Sequence, residues 1–521
     1  MRIRPMLVLT ATGLLLGLAQ AAWAQSPAAG TIRVALNSDI RSTNPGVNRD
    51  ANTDTVLLHV VEGLVAFTEN GGVGPLLAES IALSDDGKTY TFTLRQGVRF
   101  HNGAPLTADD VVWTWRRYLD PATRWRCLSE FDGRGFMKIT SVEAKDPRTV
   151  VFRLDRPSAL FLGMMARADC GGSGILHRDS VGADGSWKAP IGTGPFTLGE
   201  WRKGEYVELV RFPGYVSRPG PRDGLTGGKT ALVEKVRFVV IPDGSAAKAA
   251  LLNGSIDVLP DLETNLLADL KGRTDVTTEI AHTMGLNAIL FQTKDPLIGD
   301  VRIRQAIALA IDTAEIVGVV TQGLARPNNS PIPVSSPYYS AVQSRRITRD
   351  LARAKQLLAE AGYRGQPIKL IANKRYSSTF DAAVLVQAMA REAGIAIDIE
   401  VLEWATQLDR YGKGDYQMMS FPYSARLDPS LSFEMVMGPK ATQPRKVWDN
   451  PEAQALLAES MAVSDQARRQ AILDDLYRRF LDDMPMIVLY NGLQIAAWRT
   501  GVTGYAPFPM GVSRLWGVSK R

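Results

Sequence analysis

The residue types that most often perform acid–base or metal chemistry are sparse and scattered in this sequence. The histidines number four, at His59, His101, His177 and His282. No two of them have the H-x-x-x-H spacing that puts two imidazoles on one face of a helix, and no Gly-x-Ser-x-Gly nucleophile elbow occurs. We therefore interpret the histidines as structural and predict no catalytic residue, no metal site and no cofactor. Distant segments can still meet in a fold, so an exported hydrolase stays open as an alternative.

One short stretch resembles part of a phosphate-binding loop. Gly228-Lys229-Thr230 has the residue order that ends a P-loop, but the position five before Gly228 is Asp223 rather than glycine. No clear strand precedes it either, as such a loop requires. We interpret this stretch as a surface loop.

The chain contains two cysteines, Cys127 and Cys170. In an oxidising compartment a lone pair can form one disulfide, and we predict that bridge. Two buried free thiols are the alternative, because a disulfide depends on a distance and on Cβ directions that a sequence does not give.

Length, composition and charge limit the class of protein. The chain has 521 residues, of which 45% are hydrophobic and 22% charged, enough to bury large cores in more than one folding unit. The formal net charge of +6 is spread over mixed-sign segments, without a long run of like charges or a basic stripe that contains aromatics. A nucleic-acid partner is therefore not expected.

The first 24 residues have the pattern of a cleaved export signal. Arg2 and Arg4 precede an apolar run from Met6 to Ala19, and Ala22-Trp23-Ala24 is a small-x-small cleavage site. The run is short for a membrane span, and no cysteine follows it to accept a lipid. We expect a mature protein that begins at Gln25 and is soluble in the periplasm.

Hydrophobic periodicity predicts strands and helices in alternation. Strand patterns occur at TIRVAL (31–36), TYTFTL (89–94), TVVFRL (149–154) and VEKVRFVVIP (233–242). Thr107 and Asp110 form a capping box before an apolar helical face, and the run from Thr55 to Val65 is helix-like. Later helices are predicted to end at Gly362 and Gly394, and a strand follows the second. This rhythm indicates mixed α/β architecture.

Several longer stretches resemble the family 5 extracellular solute-binding proteins that serve ABC importers. They are, in the family's order, EGLV (62–65), PLLAESIALSDDGKTYTFTLRQGVRFHNGAPLTADDVVWTWRR (75–117), GTGPF (192–196), VRIRQAIALAID (301–312), DLARAKQLLAEAGY (350–363) and MPMIVLY (484–490). The stretch at 75–117 is long and specific, and the resemblance covers nearly the whole mature chain.

The resemblance implies a two-lobed α/β periplasmic-binding-protein fold of the large cluster C type, with mixed sheets, flanking helices and two crossings between the lobes. By analogy, residues 25–282 and 490–521 form lobe one, with an inserted subdomain at about 68–190, and residues 283–489 form lobe two. Hinge closure then encloses the ligand between the lobes.

Peptide-binding members of the family hold the ligand's ammonium group with an aspartate four residues before the proline of an Asp-Pro pair. The corresponding run here, FPYSARLDP (421–429), has Ala425 at that position. We therefore expect unmodified short peptides to bind poorly. Arg426 presents a planar fork that suits an anionic solute, such as an opine or a sugar–phosphate conjugate. A surface arginine or an ion pair with Asp428 is the alternative.

The remaining candidate ligand contacts are Tyr423, Ser424, Trp404, Arg375, Tyr376 and Asp428. They offer aromatic walls, a hydroxyl and a second cation, the mixture expected of a small-molecule pocket, and most lie in loops or at strand ends. Packing in the core or in a loop is the alternative for each of them. For Asp428 the alternative is to shape the Asp-Pro turn.

These residues and this resemblance together predict a periplasmic substrate-binding protein of an ABC importer. It captures a peptide-like or other small solute between two lobes and delivers it to permease subunits at the inner membrane. We expect a monomer that catalyses no reaction. A periplasmic sensor of the same fold that signals to a receptor is the alternative.

Overall fold

A computed structural model of the chain describes residues 28–521, apart from residues 70, 136, 159, 337, 427 and 464. The predicted export signal, residues 1–24, lies outside the described residues. The strands are β1 (Ala28–Leu36), β2 (Val65–Phe67), β3 (Val73–Pro75), β4 (Ala78–Leu83), β5 (Thr89–Leu94), β6 (Ile139–Asp146), β7 (Thr149–Leu154), β8 (Phe196–Arg202), β9 (Tyr206–Arg211), β10 (Arg222–Asp223), β11 (Thr226–Gly227), β12 (Val233–Val240), β13 (Val258–Leu259), β14 (Val276–Phe291), β15 (Ile368–Ala372), β16 (Ile397–Val401), β17 (Met418–Tyr423), β18 (Met486–Arg499), β19 (Val502–Thr503) and β20 (Ser519–Lys520). The helices are α1 (Ala51–Leu57), α2 (Ala108–Leu119), α3 (Leu128–Phe131), α4 (Phe161–Met165), α5 (Gly244–Leu252), α6 (Val301–Ala310), α7 (Thr313–Val320), α8 (Leu351–Glu360), α9 (Ser377–Glu392), α10 (Trp404–Lys413), α11 (Pro429–Glu434), α12 (Pro451–Ala462) and α13 (Gln466–Asp483).

A ten-stranded mixed sheet runs through the molecule in the order β16-β15-β17-β14-β18-β13-β1-β12-β9-β8. At one end β15 is parallel to β16 and β17, and towards the other end β1 is parallel to β12 and β13. We call the part of the chain before β14, together with the segment after β18, the first lobe. The part between β14 and β18 is the second lobe.

Two long strands connect the lobes. β14 and β18 pair antiparallel from Val276 with Arg499 to Leu290 with Met486, and their register shifts between His282 and Leu286. Beyond the shift β14 also pairs with β17 of the second lobe. The predicted fold class, a two-lobed mixed α/β fold with two crossings between lobes, is confirmed.

Local sequence signals explain several elements of the first lobe. Tyr90, Phe92 and Leu94 of β5 are buried, whereas the threonines between them are half-buried, as expected for one covered face. The Thr107 backbone N–H donates to Asp110 Oδ2 at 2.9 Å, which closes the predicted capping box at the start of α2. The apolar face of α2 then buries Trp115 completely.

The second lobe follows its predicted βα rhythm. Helices α6, α8 and α9 bury their apolar faces in one cluster with β15 and β16. Gly362 and Gly394 follow α8 and α9 with φ values of 70° and 84°, a conformation in which a side chain would be strained. These two glycines end their helices where the sequence predicted.

Two local predictions are wrong. The helix expected from Thr55 to Val65 instead starts after Asp50, whose carboxylate accepts from the Thr53 backbone N–H at 2.9 Å, and it ends at Leu57. The apolar residues that follow are buried in a turn and in β2. Lys229 does not lie in a surface loop, since it is buried and its Nζ donates to Glu62 Oε1 at 3.1 Å.

Along the described part of the chain, no helix combines the length and the apolar character needed to cross a bilayer.

Candidate functional site

A cavity of about 700 Å³ lies between the two lobes, within the range typical of small-molecule sites. The first lobe contributes the end of β1, the start of α1 and the segment after β13, whereas the second contributes the loops after β15 and β17. Thr283, Gly285 and Gly492, at the irregular part of the β14–β18 ladder, also line it. The cavity therefore lies where a change in lobe angle would change its width.

Arg375 joins the lobes in the middle of this cavity. Its Nη1 donates to Asp50 Oδ2 at 2.9 Å and its Nε donates to Asn37 Oδ1 at 3.1 Å. Burial alone would raise the pKa of Asp50, but Arg375 and the Thr53 N–H hold that pKa below its usual value. Asp50 thus caps α1 and pairs with the opposite lobe using the same carboxylate.

Aromatic side chains of the second lobe form a wall beside Arg375. The Tyr376 and Trp404 rings meet edge to face at 5.2 Å between centroids, and Trp404 stacks on Phe421 at 5.5 Å. Tyr423 packs against Phe421 at 5.0 Å. The Arg375 guanidinium lies 5.2 Å from the Tyr376 ring centroid. Rigid aromatic surfaces next to a cation are suited to holding the body of an organic solute.

A buried arginine cluster forms the other end of the cavity. Asp169 accepts from Arg167 Nε and Nη2 at 3.0 and 2.9 Å, and from Arg426 Nη2 at 3.0 Å. Arg126 Nη2 lies 3.2 Å from the same carboxylate. Burial opposes ionisation of Asp169, but these cations outweigh it and hold its pKa well below the usual value. Arg126, Asp169 and Arg426 all line the cavity.

Further charged groups continue this cluster away from the cavity. Arg167 Nη1 lies 3.7 Å from Glu130 and 3.6 Å from Glu434, while Arg445 Nη2 lies 3.1 Å from Glu130. Lys446 pairs with Glu434. Burial and the neighbouring Arg445 lower the pKa of Lys446 to about 8 although Glu434 raises it. Because these pairs join residues of both lobes, the cluster is an electrostatic contact across the cleft.

A disulfide lies next to the cluster. Cys127 and Cys170 are bonded, and they directly follow Arg126 and Asp169 in the chain. The bridge therefore holds together the two first-lobe segments that carry the charged groups. Asp169 is also close enough to both sulfurs to suggest a metal site, but its carboxylate is bonded to arginines and the sulfurs to each other. This donor set does not suit a metal ion.

Three further carboxylates, which form no salt bridge with another described residue, also line the cavity. Asp261 and Glu263 come from the first lobe and Asp381 from α9 of the second. The surrounding protein raises the pKa of all three by reducing hydration of the charged form, and Asp243 and Asp381 raise that of Glu263 further by repulsion. The cavity lining thus contains acidic groups without a salt-bridge partner as well as the arginine cluster.

The structure places most of the predicted ligand contacts together. Six of them line the cavity: Arg375, Tyr376, Trp404, Tyr423, Ser424 and Arg426. Ala425 lines it as well. Arg426 is 5% exposed and pairs with Asp169, not with Asp428 as the alternative proposed.

Asp428 instead stabilises the start of α11. Among the described residues it is not part of the cavity lining. Its Oδ1 accepts from the Ser430 N–H at 2.8 Å, which caps α11, and from Arg469 Nη2 at 2.6 Å. This agrees with the turn-shaping alternative for the Asp-Pro pair.

Sequence reasoning missed the first-lobe half of the site. Arg49, Asp50, Arg126, Asp169 and Asp261 line the cavity but belong to no motif. Two weak signals were present: the polar, turn-rich stretch after β1 contains the first two, and the cysteines adjoin the next two. Neither signal identifies the partner across the cleft.

The sequence of the chain is similar to those of known solute-binding proteins. The model of the bacterial extracellular solute-binding proteins, family 5, matches residues 72–443. The dipeptide-binding protein of Escherichia coli is 28% identical over 507 residues, which cover 91% of this chain and 90% of that protein. Heme-binding protein A of Haemophilus influenzae is 27% identical over 504 residues, covering 91% and 88%.

Solved structures agree with the sequence relatives. The periplasmic binding protein DppA from Helicobacter pylori, in complex with the peptide STSA, has a TM-score of 0.85 and 26% identity, and the match covers 95% of this chain and 99% of that one. The binding protein AgaA from A. tumefaciens R10, in complex with agropinic acid, has a TM-score of 0.83 and 26% identity, with coverage of 94% and 99%. These proteins bind solutes, and relatives of this kind serve ABC importers. The chain belongs to the bacterial extracellular solute-binding proteins of family 5.

Proposed function

We propose that this protein works in the periplasm, captures a small solute between its lobes and delivers it to the permease subunits of an ABC importer without chemical change. Cleavage after Ala24 releases a mature, monomeric protein. Residues 25–282 and 490–521 form one rigid lobe, with an inserted subdomain at about 68–190, and residues 283–489 form the other. Closure of these lobes on the solute produces the form that docks on the permease.

The observation that carries this proposal is the cavity itself. It is enclosed by side chains of both lobes, and Arg375 bonds to Asp50 and Asn37 across it. A site with this construction is complete only when the lobes are close together, so a solute that bridges them stabilises the closed form. That coupling is what an importer needs to distinguish loaded from empty protein.

The proposed solute is not an unmodified short peptide. Ala425 supplies no carboxylate at the position where peptide-binding relatives hold the ammonium group, and the neighbouring Arg426 would repel that group. Arg375, Tyr376, Trp404, Tyr423, Ser424 and Arg426 are the proposed contacts on the second lobe, and all line the cavity. An opine-like or phosphorylated solute is compatible with this lining.

A thermal-shift screen of the purified mature protein, stripped of ligand by denaturation and refolding, tests the proposal. The panel contains di- to pentapeptides, opines, glycosides and sugar phosphates. A solute at a thousandfold excess over its Kd should stabilise the folded state by about 4 kcal/mol. Stabilisation by a non-peptide solute, recovered unaltered by mass spectrometry, is the expected result. Turnover of that solute would favour the hydrolase alternative, and stabilisation by simple peptides would contradict the argument from Ala425.

A further inference from the structure

We propose that the arginine end of the cavity binds an oxyanion group of the solute, a carboxylate or a phosphate, between Arg126 of the first lobe and Arg426 of the second. The inference rests on the proposed function, since it assigns a chemical group to the solute captured in the same cavity. It identifies a first-lobe cation, Arg126, as a determinant of specificity.

The first observation is a charge imbalance. The cluster contains five cations, Arg126, Arg167, Arg426, Arg445 and Lys446, paired with three carboxylates, Glu130, Asp169 and Glu434. Two positive charges therefore remain uncompensated within it. The adjacent Arg49 pairs with Asp54 and does not change this difference. Buried charges are costly unless they are paired, so an anion entering here would be strongly stabilised.

The second observation is a set of unused hydrogen-bond donors. Arg126 Nη1 and Arg426 Nε are buried and have no hydrogen-bond partner among the described residues. Two more nitrogens of cavity-lining residues, Arg375 Nη2 and Trp404 Nε1, are also buried without a hydrogen-bond partner among the described residues. All four groups are N–H donors, which require acceptors. These nitrogens are shielded from solvent in this arrangement of the lobes, so the anion would enter while the lobes are apart and meet the donors as they close. An oxyanion offers several acceptor lone pairs and can satisfy two arginines together, whereas a neutral solute compensates no charge.

The third observation concerns the geometry of the two arginines. Arg126 and Arg426 lie on opposite lobes and both contact Oδ2 of Asp169, at 3.2 and 3.0 Å. Asp169 thus holds the two guanidinium groups side by side when the lobes are together. Since one carboxylate fixes both groups in that arrangement, the solute does not have to order them itself, which reduces the entropy that binding would otherwise cost.

Matched probes test the inference by calorimetry on the stripped mature protein. One set pairs sugar phosphates with their parent sugars, and the other pairs opine-type N-carboxyalkyl amino acids with their amides. We expect an anionic member to bind and its neutral counterpart to bind at least about tenfold more weakly. Comparing the two sets shows whether a phosphate or a carboxylate is the preferred anion.

Variants then locate the anion. Arg126→Gln and Arg426→Gln should each weaken binding of the anionic probe by about tenfold or more, and Arg426→Lys should recover part of that loss because it keeps the charge. Arg410→Gln is the matched control, because Arg410 pairs with Glu400 outside both the cavity lining and the cluster. It should leave the affinity for the anionic probe within about twofold. Circular dichroism and the ligand-free melting temperature confirm that each variant folds.

The outcomes separate the inference from the proposed function. Neutral members that bind as tightly as anionic ones would overturn the oxyanion site and leave solute capture intact. The same conclusion follows if both glutamine variants keep the preference for the anionic probe. Failure of every probe, charged or neutral, to bind would contradict solute capture and with it the inference.

Discussion

Single residues show how far a local environment can change the chemistry of a side chain. His59 is fully buried, its Nδ1 lies 2.8 Å from the Thr55 carbonyl and its Nε2 accepts from the Leu515 N–H at 3.0 Å. Burial, together with the positive charge of Lys229, lowers the pKa of His59 to about 4. Protonation would also place an N–H against the Leu515 N–H. The histidine is a neutral structural link between α1 and the C-terminal segment.

This environment predicts a loss of stability in acid. In the unfolded chain the pKa of His59 is near its ordinary value of 6.5, whereas folded His59 stays neutral down to about pH 4. The contribution of neutral His59 to the free energy of unfolding is therefore fully present above pH 6.5 and is lost as the pH falls towards 4. At pH 5 the free energy of unfolding is lower by about 2 kcal/mol for this reason. Urea unfolding at several pH values measures it. A His59→Gln variant should show a shallower decline between pH 7 and 5, and an unchanged slope would exclude this residue as the cause.

Arg375 leads to a prediction about the cavity. Replacing it by alanine removes the bonds to Asp50 and Asn37 and leaves a buried carboxylate without its cation. We expect Arg375→Ala to weaken solute binding by about tenfold or more, with little change in the fold. Isothermal titration measures the affinity. Arg410→Ala, which removes an arginine bonded to Glu400 outside the cavity, should leave affinity within about twofold.

At the scale of elements, Gly285 lies in the irregular part of the β14–β18 ladder, where a side chain would clash with the backbone of β17. A Cβ on Gly285 would lie 2.8 Å from the Tyr423 carbonyl oxygen, where β14 approaches the loop after β17. We expect Gly285→Ala to destabilise the protein by about 1–3 kcal/mol through overpacking. Gly318→Ala within α7 is the control, because nothing lies within 4 Å of its Cβ position, and it should be neutral or stabilising by up to about 1 kcal/mol. Denaturant unfolding distinguishes the two.

The disulfide is the second element-scale feature. It links residues 43 apart in sequence, and chain entropy alone would give such a bridge about 4 kcal/mol. We expect the Cys127→Ser/Cys170→Ser double variant to lose a large part of that stability and also to bind solute more weakly, because the segments with Arg126 and Asp169 are no longer held together. Equal affinity for the two proteins would show that the bridge stabilises the fold alone.

Elements were more predictable from sequence than the site was. The period-two pattern of β5, the Thr107 capping box and the glycines after α8 and α9 are local signals, and local hydrogen bonds and packing make them reliable. The loop with Arg426 was identified because a family motif positions it, whereas Arg375 was a candidate only because it lies in a loop after a predicted strand. Asp169 was not, since its contact with Arg426 joins residues 257 apart, and no local pattern specifies which buried carboxylate meets which arginine.

At the scale of the whole molecule, the contacts across the cleft favour a closed arrangement of lobes. Arg375 with Asp50, Arg426 with Asp169 and Arg445 with Glu130 all form only when the lobes are together. We expect the Arg375→Ala protein to have a larger radius of gyration without solute than the unaltered protein, because fewer contacts oppose opening. Small-angle X-ray scattering measures this. Identical profiles with and without saturating solute in both proteins would contradict closure by lobe movement.

The two connecting strands also determine the kind of movement that is possible. β14 and β18 are hydrogen-bonded to each other across the junction rather than running as separate linkers. A two-stranded ribbon bends across its flat face far more readily than it slides or shears, because sliding breaks its ladder. We therefore expect the lobes to move mainly by bending about one axis across this ribbon. On that expectation the second-lobe arginines meet the same first-lobe carboxylates each time the lobes close, whichever solute is bound.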